Sequence, residues 1–336
     1  MKTGKLSTPW CIVLWILPAA AAVLALGLGR VSIPAGQVLS AISDLFTGNQ
    51  TVPQLTRMTL WNLRLPRILL AALAGAGLSV AGCAFQSLFA NPLATPDTLG
   101  VASGASFGAA LGLLLGYSMM GVQLTALMMG ALAVSLTWLA GSGKNKGLST
   151  IVLAGIMMGS LFTALVSLVK FAADEESQLP AITYWLMGGL NNADYKTLLL
   201  GAPPVVLGIA VLFLLRWRLN LLPLSEDEVR SSGVNIRSLR GITVVSATMI
   251  TASCVSMCGQ VGWVGLLIPH MCRMKFGSNH MSVLPASISL GAVFMIIVDT
   301  AARSMTAAEI PVSILTAIIG APFFIILMRR SGGWQL

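Results

Sequence analysis

The sequence predicts an all-α membrane protein with about ten transmembrane helices in a compact bundle. Of the 336 residues, 56% are hydrophobic and only 9% are charged, whereas a soluble domain carries about 25% charged residues. The mean hydropathy is +0.86, and apolar stretches recur along the whole length. A span with its connection takes about 30 to 35 residues, because about 20 cross the hydrocarbon. The length therefore fits a single transmembrane domain over 1–336, without a sizeable soluble domain.

Ten apolar runs define the expected spans. They lie at 10–28, 68–90, 99–117, 120–140, 148–171, 197–217, 241–258, 262–274, 283–303 and 311–328. The first run is long enough to cross a membrane, so we interpret it as a first transmembrane helix rather than as a cleaved signal peptide. The run at 262–274 is short and contains Pro269, which predicts a partial span. The stretch 178–190 predicts a helix at the membrane interface.

The basic residues indicate the orientation of the bundle. With a cytoplasmic N-terminus and ten alternating spans, thirteen fall on the inner side: Lys2, Lys5, Lys144, Lys146, Arg216, Arg218, Arg230, Arg237, Arg240, Arg273, Lys275, Arg329 and Arg330. Seven fall outside: Arg30, Arg57, Arg64, Arg67, Lys170, Lys196 and Arg303. Because basic residues concentrate in cytoplasmic loops, this bias predicts that both termini are cytoplasmic. It also accounts for the formal charge of +9, so nucleic acid is not expected as a partner.

The sequence lacks the patterns of enzymes and of cofactor sites. No G-x-x-x-x-G-K-[ST] string for a nucleotide occurs, so any energy from ATP must come from a partner chain. Cys254, Cys258, His270 and Cys272 are close in sequence, but a tetrahedral metal site needs four convergent ligands. We interpret them as packing and turn residues, and we place His280 in a loop. We therefore expect no catalytic residue, no metal and no cofactor.

One string places polar and helix-breaking residues beside the second apolar run. From Arg64 to Ala105 it reads R-L-P-R, then G-x-G-L-S-x-A-G-x-x-x-Q-x-x-x-x-N-P-L-A-x-P-x-x-L-G-x-x-x-G-A. Gln86, Asn91, Pro92 and Pro96 are costly near lipid, because each brings an amide to satisfy or removes a backbone donor. We expect them to face a protein interior or a water-filled path. Alternatively, Asn91 and Pro92 only cap the span and turn the chain at the cytoplasmic surface.

Further motifs follow along the chain and carry a family resemblance. L-A-G-I begins at Leu153, W-L-M-G-G at Trp185, G-Q-V-G-W-V-G-L-L-I-P-H-M-C-R at Gly259, P-A-S-I-S-L-G-A at Pro285, D-T-A-A-R at Asp299, E-I-P-V at Glu309 and T-A-I-I-G-A-P-F-F at Thr316. Together with the first string, this order of motifs resembles the FecCD family, the permease subunits of ABC importers for iron-siderophores, haem and vitamin B12. The resemblance covers nearly the whole chain.

The resemblance implies a transport subunit rather than an enzyme. In the family, ten helices per subunit form a homodimer with the translocation path along its two-fold axis, in the plasma (inner) membrane of a prokaryote. A cytoplasmic ABC ATPase dimer binds below, and an extracytoplasmic substrate-binding protein docks above. ATP hydrolysis then drives alternating access for an iron-siderophore, the family's commonest cargo. Two alternatives stay open: haem or cobalamin as cargo, and a secondary transporter driven by an ion gradient, for which only Asp299 is deep enough to bind the coupling ion.

The resemblance also assigns roles to individual residues. Arg64, Arg67 and Arg303 would lie on the outer face and meet acidic residues of the binding protein. The alternative is an internal pair of Arg303 with Asp299, which have helical i, i+4 spacing. Apart from the resemblance, we place five residues at the translocation path or its gate: Gln86, Asn91, Pro92, Ser149 and Thr150.

The ATPase-coupling segment is expected in the largest cytoplasmic loop, about 219–240. The family's form A-L-G-E-x-x-A-x-x-L-G matches Pro223–Gly233, where Leu224, Glu226 and Gly233 fit the pattern. An acidic start and a glycine end predict one short capped helix. Five residues depart from the family's pattern: Ser225, Val229 and Ser232 in this segment, Ser313 after E-I-P-V, and Ala90 before N-P-L-A.

Overall fold

The protein is α-helical. The computed structural model describes residues 6–141, 148–306 and 308–330, and these ranges contain no strand. Fourteen helices are described: α1 Thr8–Gly27, α2 Ala35–Thr47, α3 Gln54–Met58, α4 Leu65–Leu88, α5 Val101–Leu114, α6 Met119–Gly141, α7 Leu148–Ala172, α8 Gln178–Leu186, α9 Tyr195–Leu214, α10 Glu226–Ser231, α11 Ile236–Cys258, α12 Val264–Phe276, α13 His280–Met305 and α14 Val312–Arg330. A π-helical turn, Thr59–Arg64, joins α3 to α4, and short 3-10 turns lie at Pro96–Leu99 and Arg218–Leu221.

Each of the ten apolar runs contains a helix, which confirms the predicted fold class. In the described residues, seven helical segments are long and apolar enough to cross a membrane. They are α1, α3 to α4, α6, α7, α9, α11 and α13. Helices α5 and α14 are shorter apolar helices, and α12 has 13 residues with Pro269 inside, as the short run predicts. Helix α8 occupies the stretch that predicts an interfacial helix.

Helix α4 forms the centre of the bundle. It is buried along nearly its whole length and packs against α9, α11, α12 and α13. Two pairs of glycines allow backbones to touch: a Cβ added at Gly75 would lie 2.1 Å from the Gly291 oxygen, and one at Gly82 would lie 1.9 Å from the Gly265 oxygen. No larger residue fits these crossings, so the small residues of α4 determine how closely α12 and α13 approach it.

Helix α4 also defines the two ends of the bundle. We call the end beside Arg64 the outer end and the end beside Leu88 the inner end, following the predicted orientation. Helix α13 runs antiparallel to α4, because His280 lies beside Cys83 and Asp299 lies beside Arg67. The charged residues Asp299 and Arg67 are thus at the outer end, and the loop that contains α10 is at the inner end.

Candidate translocation path and its flanking sites

Two helices begin near the middle of the bundle rather than at its ends. Pro96 lies against Gly265 at the start of α12, where an added Cβ would be 2.6 Å from the Pro96 ring and 2.8 Å from the Leu78 oxygen. Leu78 is ten residues before the end of α4, or about 15 Å along the helix. This distance is about half of a 30 Å hydrocarbon core. Helices α5 and α12 therefore start at mid-depth.

The two helices leave this level in opposite directions. Helix α12 follows α4 to the inner end, where Arg273 donates to the Gln86 side chain. Helix α5 ends at Leu114, whose carbonyl accepts from Gln178 at the start of α8. The chain after α8 is bonded to the outer end of α11, through Gly189 N and the Cys258 oxygen at 2.9 Å. Interrupted helices of this kind form substrate sites at the midplane of many transporters.

A cavity of about 520 Å³ opens beside the break between α4 and α5. The cavity is lined by the break residues Thr95, Pro96 and Asp97, by Trp263, and by Ile314 of α14. The backbone of Trp263 has a positive φ of 69°, which is rare for a bulky residue. This conformation ends the extended segment before α12 and leaves the tryptophan at the cavity wall.

A second recess of about 590 Å³ shares Asp97 and is lined by one face of α7. This face carries Ser160, Thr163 and Ser167, which are exposed and spaced by three and four residues. Each hydroxyl donates to the carbonyl four residues earlier, at 2.8 to 3.1 Å. An exposed polar face on an apolar helix is expected to contact water or another protein rather than lipid.

Asp97 is a residue that the sequence reasoning missed. Its Oδ1 accepts from the Ala102 amide at 2.8 Å, so it satisfies a free N–H in the first turn of α5. It is exposed and borders both cavities. Because it lies beside the mid-depth start of α5, Asp97 is a second acid deep in the bundle. The expectation that only Asp299 is deep enough to bind a coupling ion is therefore wrong. An available signal was the position of Asp97 between two apolar runs, in the segment where helix-breaking residues are densest.

The predicted path residues fall into two groups. Gln86 is buried, with its Nε2 donating to the Gly265 oxygen at 3.3 Å and its Oε1 accepting from Arg273. It thus faces the protein interior. Asn91 is exposed and accepts from the Leu93 amide at 2.9 Å, and Pro92 follows it in the turn at the inner end. A path or gate role for these three residues stays a prediction.

Ser149 and Thr150 lie in the first turn of α7. Ser149 is exposed and Thr150 is half-buried. Eleven residues make about three helical turns, so Ser149 lies on the same face of α7 as Ser160. It continues the polar face toward the inner end, and a path or gate role for both residues also stays a prediction.

The three arginines assigned to docking form a cluster at the outer end, in which Arg64 and Arg303 are buried and Arg67 is half-buried. We call Arg64, Arg67, Asp299, Arg303 and Glu309 the arginine cluster. Arg67 contacts Asp299 at 2.8 Å and Glu309 at 2.9 Å, and Arg303 lies 3.7 Å from Asp299. Arg64 and Arg303 donate to backbone carbonyls at the end of α1 and just after it. The internal pair that i, i+4 spacing suggests is thus present, while docking of a binding protein stays a prediction.

The coupling loop contains the short capped helix that the sequence predicts. The backbone amide and the hydroxyl of Ser225 both donate to Glu228 Oε2, at 2.9 and 2.8 Å. These bonds lower the pKa of the Glu228 carboxyl and resemble a capping box, which stabilises a helix start. Ser225, a departure from the family's glycine, therefore supplies the cap of α10.

The end of α10 and its surface also fit the prediction. Gly233 has a φ of 70° with no atom within 4 Å of an added Cβ, so its conformation, not its surroundings, favours glycine. Val229 is fully buried and Leu224 is 41% exposed. Glu226 begins the helix, and its side chain lies outside the part of the chain that the structure describes. An ATPase-coupling role for these residues stays a prediction.

Two other departures from the family's pattern have visible contacts. The Ser313 hydroxyl donates to the Met187 carbonyl, next to a bond from Val312 N to the Gly188 oxygen at 3.0 Å. Ser232 donates to the Glu228 carbonyl at 3.3 Å. Nothing in the structure explains Ala90, which has a φ of 46°.

The cysteine and histidine residues do not gather into a metal centre. In residues 6–141, 148–306 and 308–330, no group of three or more His, Cys, Asp or Glu could hold an ion. Cys254 and Cys258 are buried, and the Cys258 thiol donates to the Cys254 carbonyl at 2.8 Å. The sequence analysis places His280 in a loop, and this expectation is wrong: His280 is buried in the first turn of α13.

Comparisons with known proteins agree with this architecture. The permease protein MolB of the molybdate import system of Haemophilus influenzae is 39% identical over 318 residues, covering 94% of each chain. The Fe(3+) dicitrate transport system permease protein FecC of Escherichia coli is 34% identical over 334 residues, covering 96% of this chain and 98% of that one. A transporter assigned to the metal-chelate ABC type, solved in an inward-facing conformation, matches with a TM-score of 0.86 and 38% identity, over 96% of this chain and 100% of that one. The model of the FecCD transport family matches residues 16–330, and the chain therefore belongs to this family.

Proposed function

We propose that this ABC importer permease translocates an iron-siderophore-type chelate into the cytoplasm by alternating access. The observation that carries the proposal is the family match over residues 16–330. Permeases of this family are not enzymes, and ATP hydrolysis resides in a separate partner chain. An ATPase dimer on the inner side and a substrate-binding protein on the outer side are the proposed partners, in the inner membrane of a prokaryote.

The arrangement of the cavities supports a path between two copies of the chain. The polar face of α7 and the cavity beside Trp263 both open at the surface of a single subunit. Both border Asp97, at the mid-depth start of α5. A second copy related by a two-fold axis would enclose these surfaces, and the resulting passage would have walls of small, hydroxyl and apolar side chains. We therefore propose a homodimer with the path along its axis.

The relatives of this chain are named for different cargoes. One relative is named for ferric dicitrate and another, at 39% identity, for molybdate. Molybdate, a small oxyanion, is accordingly the second candidate, and haem and cobalamin are further alternatives within the family. The cavity beside the break contains Asp97 and no described Lys or Arg, which favours a cargo that does not need a fixed cation.

Transport by the reconstituted complex tests the proposal. The permease, its ATPase and its binding protein are placed in liposomes, and uptake of radiolabelled ferric siderophore and of molybdate is measured at clamped ion gradients. We expect ATP-dependent uptake of the ferric siderophore that excess molybdate does not inhibit. Uptake of molybdate without uptake of the ferric siderophore would identify molybdate as the cargo and contradict the proposed one. Uptake driven by an ion gradient without the ATPase would contradict the assignment to ABC importers.

The contacts of the deep acids argue against the gradient-driven alternative. Asp299 is held by Arg67 and Arg303, and Asp97 caps α5. A coupling ion needs a carboxylate that can bind and release it during each cycle. An ion that bound Asp299 would have to displace an arginine from a carboxylate that is 1% exposed.

A further inference from the structure

The inner end of α13 is capped by a residue from the coupling loop. Asn220 lies in the 3-10 turn that opens this loop, and its Oδ1 accepts from the His280 amide at 2.9 Å. Its Nδ2 donates to Asn279 Oδ1 at 3.2 Å. Asn279 in turn accepts from the Met281 amide at 2.9 Å, as an ordinary N-cap residue does. Two free N–H groups of α13 are therefore satisfied, one by its own cap and one by the loop.

The side chain of His280 connects the same turn to α4. Its Nε2 lies 2.5 Å from Ser87 Oγ, and its Nδ1 lies 3.3 Å from Cys83 Sγ. The Ser87 hydroxyl is also 3.1 Å from the Cys83 carbonyl. One assignment satisfies every donor with a neutral imidazole: the thiol donates to Nδ1, Nε2–H donates to Ser87, and the Ser87 hydroxyl donates to the carbonyl. We call Asn220, Asn279, His280, Ser87 and Cys83 the loop–helix link.

The link continues to the mid-depth break through the neighbouring residue of α4. Gln86 bonds to both Arg273 and the Gly265 carbonyl, so it holds the two ends of α12 against α4. Gly265 is also the residue that touches Pro96 of the break. A continuous set of contacts thus leads from the coupling loop, through α13 and α4, to the wall of the cavity.

We propose that Asn220 and His280 are positioning residues that transmit movement of the coupling loop to α4 and α12, and so to the cavity beside the break. This inference rests on the proposed function, because it presupposes an ATPase that moves the loop. Movement of the loop alone would break the bond from Asn220 and leave the His280 amide unpaired in a buried turn, which is costly. Movement of α13 with the loop keeps the bond, and the His280 side chain then carries α4 along.

Variants of Asn220 test the proposal against a matched control. Asn235 caps α11 at the other end of the same loop and accepts from the Arg237 and Ser238 amides at 3.1 and 3.2 Å. In the complete complex in liposomes, ATP hydrolysed per ferric siderophore taken up is measured for Asn220→Ala and for Asn235→Ala. We expect the ratio to rise several-fold for Asn220→Ala and to keep the parental value for Asn235→Ala, since both lose one cap but only the first loses the link. Equal ratios in the two variants would overturn the proposal.

A second variant asks whether the two residues act in series. His280→Ala keeps the backbone bond to Asn220 but loses both contacts to α4. If the link is one unit, the Asn220→Ala/His280→Ala double variant hydrolyses as much ATP per siderophore taken up as the more impaired single variant. If the two residues act independently, their effects on this ratio multiply. Multiplying effects would contradict a single link. Absence of ATP-dependent uptake by the parental complex would overturn the proposed function and this inference together, while normal parental uptake isolates the inference.

Hydrogen exchange on the unmodified complex provides a test that needs no variant. Amides at 280–283 and in the loop at 219–224 are compared between the nucleotide-free and ATP-bound complex. We expect protection in the two segments to change together. A change in the loop with constant protection at the start of α13 would overturn the link.

Discussion

The two ends of the bundle hold α4 and α13 together by different chemistry. At the outer end, the arginine cluster joins three guanidinium groups to two carboxylates and to carbonyls near the end of α1. At the inner end, the loop–helix link uses only neutral amide, imidazole, hydroxyl and thiol groups. A buried charge that loses its partner is far more costly than a neutral group that does. The outer end is thus the more strongly fixed of the two, and the inner end is the one at which α4 and α13 can shift together with the loop.

The largest expected effect is a loss in the free energy of unfolding, caused by Arg67→Ala in the arginine cluster. Among the described contacts, this change leaves the 1% exposed carboxylate of Asp299 with only the more distant Arg303, at 3.7 Å. Removing one partner of a buried ion pair costs about 3–5 kcal/mol. The free energy of unfolding in detergent, measured against Arg30→Ala at an exposed position, checks this. A loss equal to that of the control would mean that the outer end is not the fixed end.

A smaller effect, on coupling rather than on assembly, is expected from Gly233→Val. A valine at a φ of 70° is strained by about 1–3 kcal/mol, so the end of α10 must rearrange. Uptake should fall while assembly and ATP hydrolysis persist. Gly241→Val is the matched control, because an added Cβ there also meets no atom within 4 Å but the backbone is helical. Parental transport by Gly233→Val would exclude α10 as the coupling element.

Docking through the arginine cluster is expected to depend weakly on each charge. Arg64 and Arg303 are buried, so they would act on the binding protein mainly through their field, which is screened over about 8 Å at physiological salt. Arg64 has no acidic partner among the described contacts, so Arg64→Gln tests docking with the ion pairs intact. Affinity for the binding protein should fall and depend less on salt, while basal ATP hydrolysis persists. Unchanged affinity with lower thermal stability would leave the cluster a purely internal role.

The smallest effect is expected from protonation of Glu228 in the cap of α10. Its pKa is lowered in the folded chain because Ser225 donates two hydrogen bonds to it. The cap therefore stabilises α10 above the pKa of an unfolded glutamate, about 4.3, and this stabilisation is lost as the pH falls through the lower folded value. The protection factors of the α10 amides, which are corrected for the intrinsic slowing of exchange at low pH, should fall below pH 4, and Glu228→Gln should remove that fall. Equal profiles for both proteins would contradict the cap.

The sequence predicts the helices better than it predicts their partners. Ten apolar runs suffice to find ten helices, because length and apolarity are local properties. The capped helix α10 is also local, since Ser225 and Gly233 act within one segment. The run at 99–117, in contrast, gives no sign that α5 starts at mid-depth, because that start depends on Pro96 meeting a glycine of α12.

The polar residues show the same limit. The spacing of Arg303 and Asp299 suggests a pair, yet the shorter contact of Asp299 is with Arg67 on another helix. His280 follows Gly277 and Asn279, which is typical of a loop, and only its contacts with Cys83 and Ser87 reveal a buried role. Asp97 is visible in the sequence, but its place beside two cavities is a property of the packing.

The mid-depth break has an electrical consequence. Where water fills the recess beside Asp97, the insulating layer is reduced to about half of the 30 Å hydrocarbon thickness. The whole membrane potential then falls across about 15 Å, so the local field is about twice that in the surrounding bilayer. An elementary charge that crosses this thinned insulating layer gains about 2.3 kcal/mol per 100 mV within half the usual distance. The protein that forms this layer must therefore exclude protons and small cations in the resting transporter. The leak conductance of the membrane measures how tightly the two subunits close it.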